Sequence, residues 1–277
     1  MTGSAAWKPL VGSPDSAGLV LAVDFDTTGR PEARFSDLAT NLKTDFEVRE
    51  TIPPAAKDGH TPSGTGYLDY WSRDIEAESG QVRALMGFCG GAVYAAGLAE
   101  RIGRRQGGAP PLLLLFDPEL STAQTLIWQF QKVIGFLSPM ISDEQIDEAR
   151  RLGQRLYETV PEVGPLKDEL IRLMREAGEP ALVRAGLDKT RRDELAGVFD
   201  TFLGYLAAAS QLDPREQWRS AVALSSTSPR SGLNAMRAAG LGEDQLSVAR
   251  EFVFDVDHGS MLADHDVAAT VSELLNA

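Results

Sequence analysis

Apolar positions along the chain fall into short dense runs separated by stretches of helical spacing. Gly18 to Phe25 (GLVLAVDF) is almost unbroken, as are the segment that runs into Gly87 and Pro111 to Phe116 (PLLLLF). Runs of this length without alternation mark strands buried on both faces of a parallel sheet. Phe46 to Ile52 alternates weakly and stops at Pro53-Pro54, which predicts a strand nearer an edge. Ala33 to Leu42, Tyr67 to Ser79 and the small-residue stretch after Gly91 have helical spacing. The order up to Phe116 is therefore strand, helix, strand, helix, strand, helix, strand, a doubly wound α/β pattern. Residues 1–17 predict only a loose lead-in. Residues 53–66 (PPAAKDGHTPSGTG) predict a loop long enough to be functional or mobile.

The rhythm breaks after Asp117-Pro118. From Glu119 to Trp218 the pattern predicts helices alone, roughly Thr122–Leu137, Asp143–Thr159, Leu166–Ala177 and Thr190–Leu212. The second opens on Ser142-Asp-Glu-Gln145, a capping-box sequence. The α/β rhythm returns with a short strand at Ser220–Leu224 (SAVAL). Helical or irregular stretches follow at Arg230–Gly240 and Asp244–Val248, then a last strand at Arg250–Val256 and a closing helix at Asp264–Leu275. The expected organisation is an α/β core formed by residues 1–118 and 219–277. Residues 119–218 are expected as a helical lid inserted over the carboxyl edge of its sheet.

Composition narrows the function classes. Hydrophobic content of 43% is ordinary for a chain with a packed core. A formal charge of −13 argues against nucleic acid and anionic membrane surfaces as partners. No apolar run reaches the length of a membrane-spanning helix, and the N-terminus lacks the apolar segment of a secretory signal. Cys89 is the single cysteine, so no internal disulfide forms and a reducing cytoplasm is the expected compartment. Three histidines and one cysteine leave little with which to build a metal site, and none is expected.

That cysteine occupies a telling position. Gly87-Phe88-Cys89-Gly90-Gly91 joins an apolar strand to a helix, the context in which G-x-S-x-G forms a nucleophile elbow, here with sulfur in place of oxygen. Flanking glycines are steric necessities on so tight a turn. The N-terminus of the following helix favours negative charge on the sulfur. Functional groups of a parallel sheet gather beyond the carboxyl ends of its strands, and Asp117 and His258 also sit there. Nucleophile, acid and histidine in that chain order match the α/β-hydrolase fold. Asp24, Asp26, Asp255 and Asp257 compete with Asp117 for the acid's place. The turn after SAVAL, SSTSPRSG, offers no carboxylate. An oxyanion hole would take one backbone donor from Gly90 and a second from Asp26 or Thr27, after the first buried strand. Arg101, Arg104 and Arg105 read as the solvated end of the elbow helix more readily than as a docking patch for an acidic carrier.

Four stretches, WKPLVGSPDSAGLVLAVDF, GFCGGAVYAAGLAERI, PLLLLFDPE and DHGSML, together resemble the α/β-hydrolase thioesterases of polyketide and nonribosomal peptide synthesis. The resemblance spans nearly the whole chain. It implies acyl transfer from a carrier-protein phosphopantetheine thioester, with Cys89 as nucleophile, His258 as base and Asp117 as its orienting acid, and with no cofactor of the enzyme's own. Two departures stand out: cysteine replaces the usual serine, and DFDTTG replaces a glycine-rich oxyanion loop. A thioester on Cys89 stays activated, which suits attack by an amine or ring closure as well as by water. The alternatives are a dienelactone-hydrolase-like esterase, whose elbow also carries G-x-C-x-G-G, and a non-catalytic binding protein on the same fold.

Overall fold

The computed structural model describes residues 6–13, 15–26, 31–54, 61–76, 81–107, 109–242 and 245–277. Seven strands form one sheet: β1 (Trp7–Val11), β2 (Leu19–Val23), β3 (Glu47–Thr51), β4 (Val82–Phe88), β5 (Leu112–Phe116), β6 (Val222–Ser226) and β7 (Arg250–Phe254). Their order is β1-β3-β2-β4-β5-β6-β7. Every neighbouring pair is parallel except β1 with β3. The central strands are those with continuous apolar sequence. All five residues of β2 are buried, as are the last five of β4 and the last four of β5.

Helices α1 (Phe35–Asn41), α2 (Gly64–Glu76), α3 (Gly91–Gln106), α8 (Arg215–Trp218), α9 (Gly232–Ala238) and α10 (His265–Asn276) belong to this core, with a 3₁₀ turn at His258–Ala263. One face of the sheet packs Val20, Met86, Leu114 and Leu224 with Phe35 and Leu38 of α1 and Val267 and Val271 of α10.

The chain divides into two compact units, one of residues 1–55, 62–120 and 212–277, the other of residues 56–61 and 121–211. The second is helical: α4 (Ala123–Gly135), α5 (Asp143–Thr159), α6 (Val163–Arg184) and α7 (Lys189–Ala209). Ser142 caps α5 in the expected box with Gln145. Helix α6 runs past the expected end at Ala177 and carries Pro180 in its interior. That proline forfeits a backbone bond, and Leu173, Met174 and Ala181 of the same helix are buried.

The loose lead-in expected for residues 1–17 is corrected by β1. Its alternating burial and the proline at position 9 suit an antiparallel edge strand, where a missing donor is tolerated. Trp7 anchors it, its indole N–H donating to the Trp71 carbonyl at 3.0 Å. Lys8 reaches inward to Asp26 at 2.7 Å and to Glu50 at 2.9 Å, and Arg34 lies 3.2 Å from Asp26. Burial pushes the Glu50 carboxyl up to about 7; the Lys8 bond works against this, and Asp24 and Asp26 add to it.

Candidate active site

Register along the sheet brings the sequence candidates together. Phe88 of β4 pairs with Phe116 of β5, so Cys89 and Asp117 are the next residues at adjacent strand ends. Both leave their strands at positive φ, 51° for Cys89 and 42° for Asp117. They are the two non-glycine residues in that conformation among the described residues, and such strain concentrates where a side chain must be aimed. The Cys89 N–H donates to the Phe116 carbonyl at 2.9 Å, and its own carbonyl accepts from Ala92 N at 3.1 Å. These bonds hold the turn into α3. Gly87 is required here, because a Cβ at that position would lie 2.7 Å from the Ala92 Cα. Gly90 opens α3, where the first N–H groups have no partner within the helix.

Asp117 is fully buried yet well supplied with donors. Its Oδ1 accepts the Ser226 N–H at 2.8 Å, and Oδ2 accepts the Ser226 hydroxyl at 2.7 Å. The same Oδ2 lies 2.7 Å from His258 Nδ1. The His258 N–H donates to the Ser228 hydroxyl at 2.8 Å, which fixes the start of the 3₁₀ turn. The ring lies flat on Phe88, with centroids 4.7 Å apart and planes 14° from parallel. The imidazole is thus placed by the residue that immediately precedes Cys89.

Two further features complete the surroundings. Gly232, the first residue of α9, has φ 55°, and a Cβ there would come within 2.8 Å of the Asp117 Cα. Glu119 folds back after Pro118, its N–H donating to the Cys89 carbonyl at 3.3 Å. Its Oε2 lies 3.8 Å from the Cys89 sulfur, within reach of an S–H donor.

Among the rival carboxylates, Asp24 accepts the Phe25 N–H at 2.7 Å, while Asp26 is turned to Lys8 and Arg34. Asp255 meets the Thr227 hydroxyl. Thr27, expected as an oxyanion donor beside Asp26, lies outside the described residues, as does His60. Arg101 pairs with Asp69, Arg104 with Glu100, and Arg105 donates to the Ser72 carbonyl. Sequence reasoning missed Glu119, Ser226, Ser228 and Gly232. Of these, the serines alone left a signal, as the polar cluster SSTS at a strand end.

Among the described residues, no group of His, Cys, Asp and Glu is placed to hold a metal ion, and no helix is long and apolar enough to cross a membrane.

The site thus combines a strand-end thiol on a left-handed turn with a carboxylate–imidazole pair, Asp117 following β5 and His258 following β7. Comparison with solved structures supports the fold. The chain is similar to the NocB thioesterase domain from the nocardicin cluster, with a TM-score of 0.55 and 18% identity over 99% of this chain and 100% of that one. It is similar to the Vlm2 thioesterase domain bound with a dodecadepsipeptide, with a TM-score of 0.53 and 16% identity over 98% and 96% of the two chains. AB3403, a four-domain nonribosomal peptide synthetase, matches with a TM-score of 0.57 and 16% identity over 98% of this chain, which spans 20% of that protein's length. No protein-family model matches the sequence. No curated protein matches it either. The fold is that of the α/β-hydrolases.

Proposed function

We propose that the protein is a thioesterase-like acyltransferase in which Cys89 accepts an acyl or peptidyl group from a carrier-protein phosphopantetheine thioester. The observation that supports this best is the pairing of Asp117 with His258 at 2.7 Å, next to a Cys89 held at φ 51°. In this reading His258 takes the Cys89 proton through Nε2, while Asp117 holds the proton on Nδ1 and keeps the ring oriented. The sulfur attacks the thioester carbonyl, His258 returns its proton to the departing pantetheine thiol, and the acyl group rests on Cys89 as a thioester. The N–H groups at the start of α3, Gly90 first, would receive the developing oxyanion. Water or a second nucleophile then releases the acyl group. The likeness to thioesterase domains supports the choice of substrate class, and their carrier-linked setting supports a carrier protein as the donor's partner.

The test is release of pantetheine thiol from acyl-pantetheine substrates, followed with a thiol reagent for the wild type and Cys89→Ala. The proposal expects release to fall to background in the variant. Unchanged release would reject it.

A further inference from the structure

We propose that Glu119 makes the second half-reaction an aminolysis, by receiving a primary amine acceptor and carrying its proton to Cys89; this rests on Cys89 being the acylated residue. Glu119 is 5% exposed and sits on the turn after Asp117-Pro118, held by the bond from its N–H to the Cys89 carbonyl at 3.3 Å. Its Oε2 stands 3.8 Å from the sulfur, so this carboxyl faces the reacting atom as a third acidic or basic group beside Asp117 and His258.

A carboxylate at that distance disfavours a thiolate, because two like charges meet where water is scarce. It therefore hinders acylation, and its favourable effect must fall on the acyl-enzyme, where the sulfur is neutral. A free-base amine attacks a thioester without prior deprotonation and develops positive charge on nitrogen. A carboxylate beside the sulfur offsets that charge and accepts the N–H proton. Water and alcohols need a base before they attack, a role His258 already fills, and they then leave no cation for Glu119 to stabilise.

The step balances within the site. The amine lone pair forms the C–N bond, the C–S bond breaks with its electrons on Cys89, and one N–H proton passes to Glu119. Glu119 then returns that proton to the sulfur, which restores the S–H to Oε2 contact seen in the structure. The acceptor is either a separate amine or an amine carried on the acyl chain, which would give a lactam.

The experiment uses a short unsubstituted acyl-pantetheine with added propylamine or propanol, and in a second arm an amine-terminated acyl-pantetheine. Intact mass follows the Cys89 adduct, and chromatography gives the amide-to-acid ratio. In Glu119→Gln the amide-to-acid ratio should fall at least about tenfold, with the ester-to-acid ratio from propanol changed far less. Glu119→Asp, which keeps the carboxylate, should retain most of the amide. The arm that shows the loss distinguishes a separate amine from an internal one. Without any substrate, iodoacetamide should alkylate Cys89 of Glu119→Gln faster at neutral pH, by about fivefold or more. An amide-to-acid ratio within twofold of wild type would overturn the proposal, as would equal loss of amide and ester, or identical alkylation profiles. A Cys89 adduct that forms normally while these ratios stay unchanged would reject Glu119 alone. No adduct in the wild type would reject the acyl-enzyme reading with it.

Discussion

Replacing Asp117 by Asn alters one atom of the site while keeping its shape. Asp117 sits at φ 42°, a left-handed conformation that Asn tolerates well, so the exchange adds little backbone strain. The amide oxygen still accepts the Ser226 N–H. The amide nitrogen then replaces Oδ2 opposite His258 Nδ1 and the Ser226 hydroxyl. It donates where the carboxylate accepted, and drives the imidazole proton to Nε2, the nitrogen that in the proposed mechanism receives the Cys89 proton. It also removes the attraction between Asp117 and the imidazolium that the proposed deprotonation of the thiol would form. At the observed 2.7 Å and an effective dielectric near 20, that attraction is about 6 kcal/mol. The His258 side chain is 16% exposed, so solvent screens part of it. A fall of about 10³- to 10⁴-fold in the acylation rate follows. Single-turnover release of pantetheine thiol measures it, with circular dichroism and a thermal melt showing that the variant is folded. A folded Asp117→Asn protein acylated within tenfold of the wild-type rate would remove Asp117 from the mechanism.

The hydroxyl of Ser226 is one of the donors on Oδ2, so Ser226→Ala should destabilise the fold by about 1.5–3 kcal/mol in urea titration, whereas an unchanged midpoint would show that water replaces it. Gly232→Ala should lower the melting temperature by several degrees, since a side chain at φ 55° also crowds Asp117 and costs about 1–3 kcal/mol. An unaltered melt would mean that the start of α9 relaxes. Because the folded-state pKa of Glu50 is raised from 4.5 to about 7, its contribution is fully present below about pH 4.5 and is lost as pH rises through 7. Glu50→Gln should therefore gain stability relative to wild type between pH 5 and pH 8, on the order of 3 kcal/mol. Urea titrations of both proteins at the two pH values check this, and a difference that does not move with pH would refute it.

The parts of the fold that sequence made legible are those whose burial is complete. Leu19–Val23 and Leu112–Phe116 are buried on both faces and read as unbroken apolar runs. Trp7–Val11 is half exposed at an edge, so its short alternation carries little signal until Thr51 and Glu50 are seen beside it. At the site, the elbow was legible because a tight strand-to-helix turn imposes glycine at position 87. Asp117 and His258 were legible as strand-end residues, and the structure puts them in contact. The turn SSTSPRSG contains no carboxylate. It supplies instead Ser226 and Ser228, which hold Asp117 and His258. Glu119 left no trace in the sequence, because its approach to Cys89 depends on how the chain doubles back after Pro118. Contacts of that kind join residues far apart in the chain and follow no period.

The central claim is that an acyl group passes through Cys89. The most direct measurement is intact-mass spectrometry of the protein quenched within seconds of mixing with an acyl-pantetheine, followed by peptide mapping. A mass increase equal to one acyl group, located on the peptide bearing Cys89 and released by hydroxylamine, is the predicted result. Turnover of the substrate with no acyl group ever found on Cys89, and equal turnover by Cys89→Ala, would contradict it.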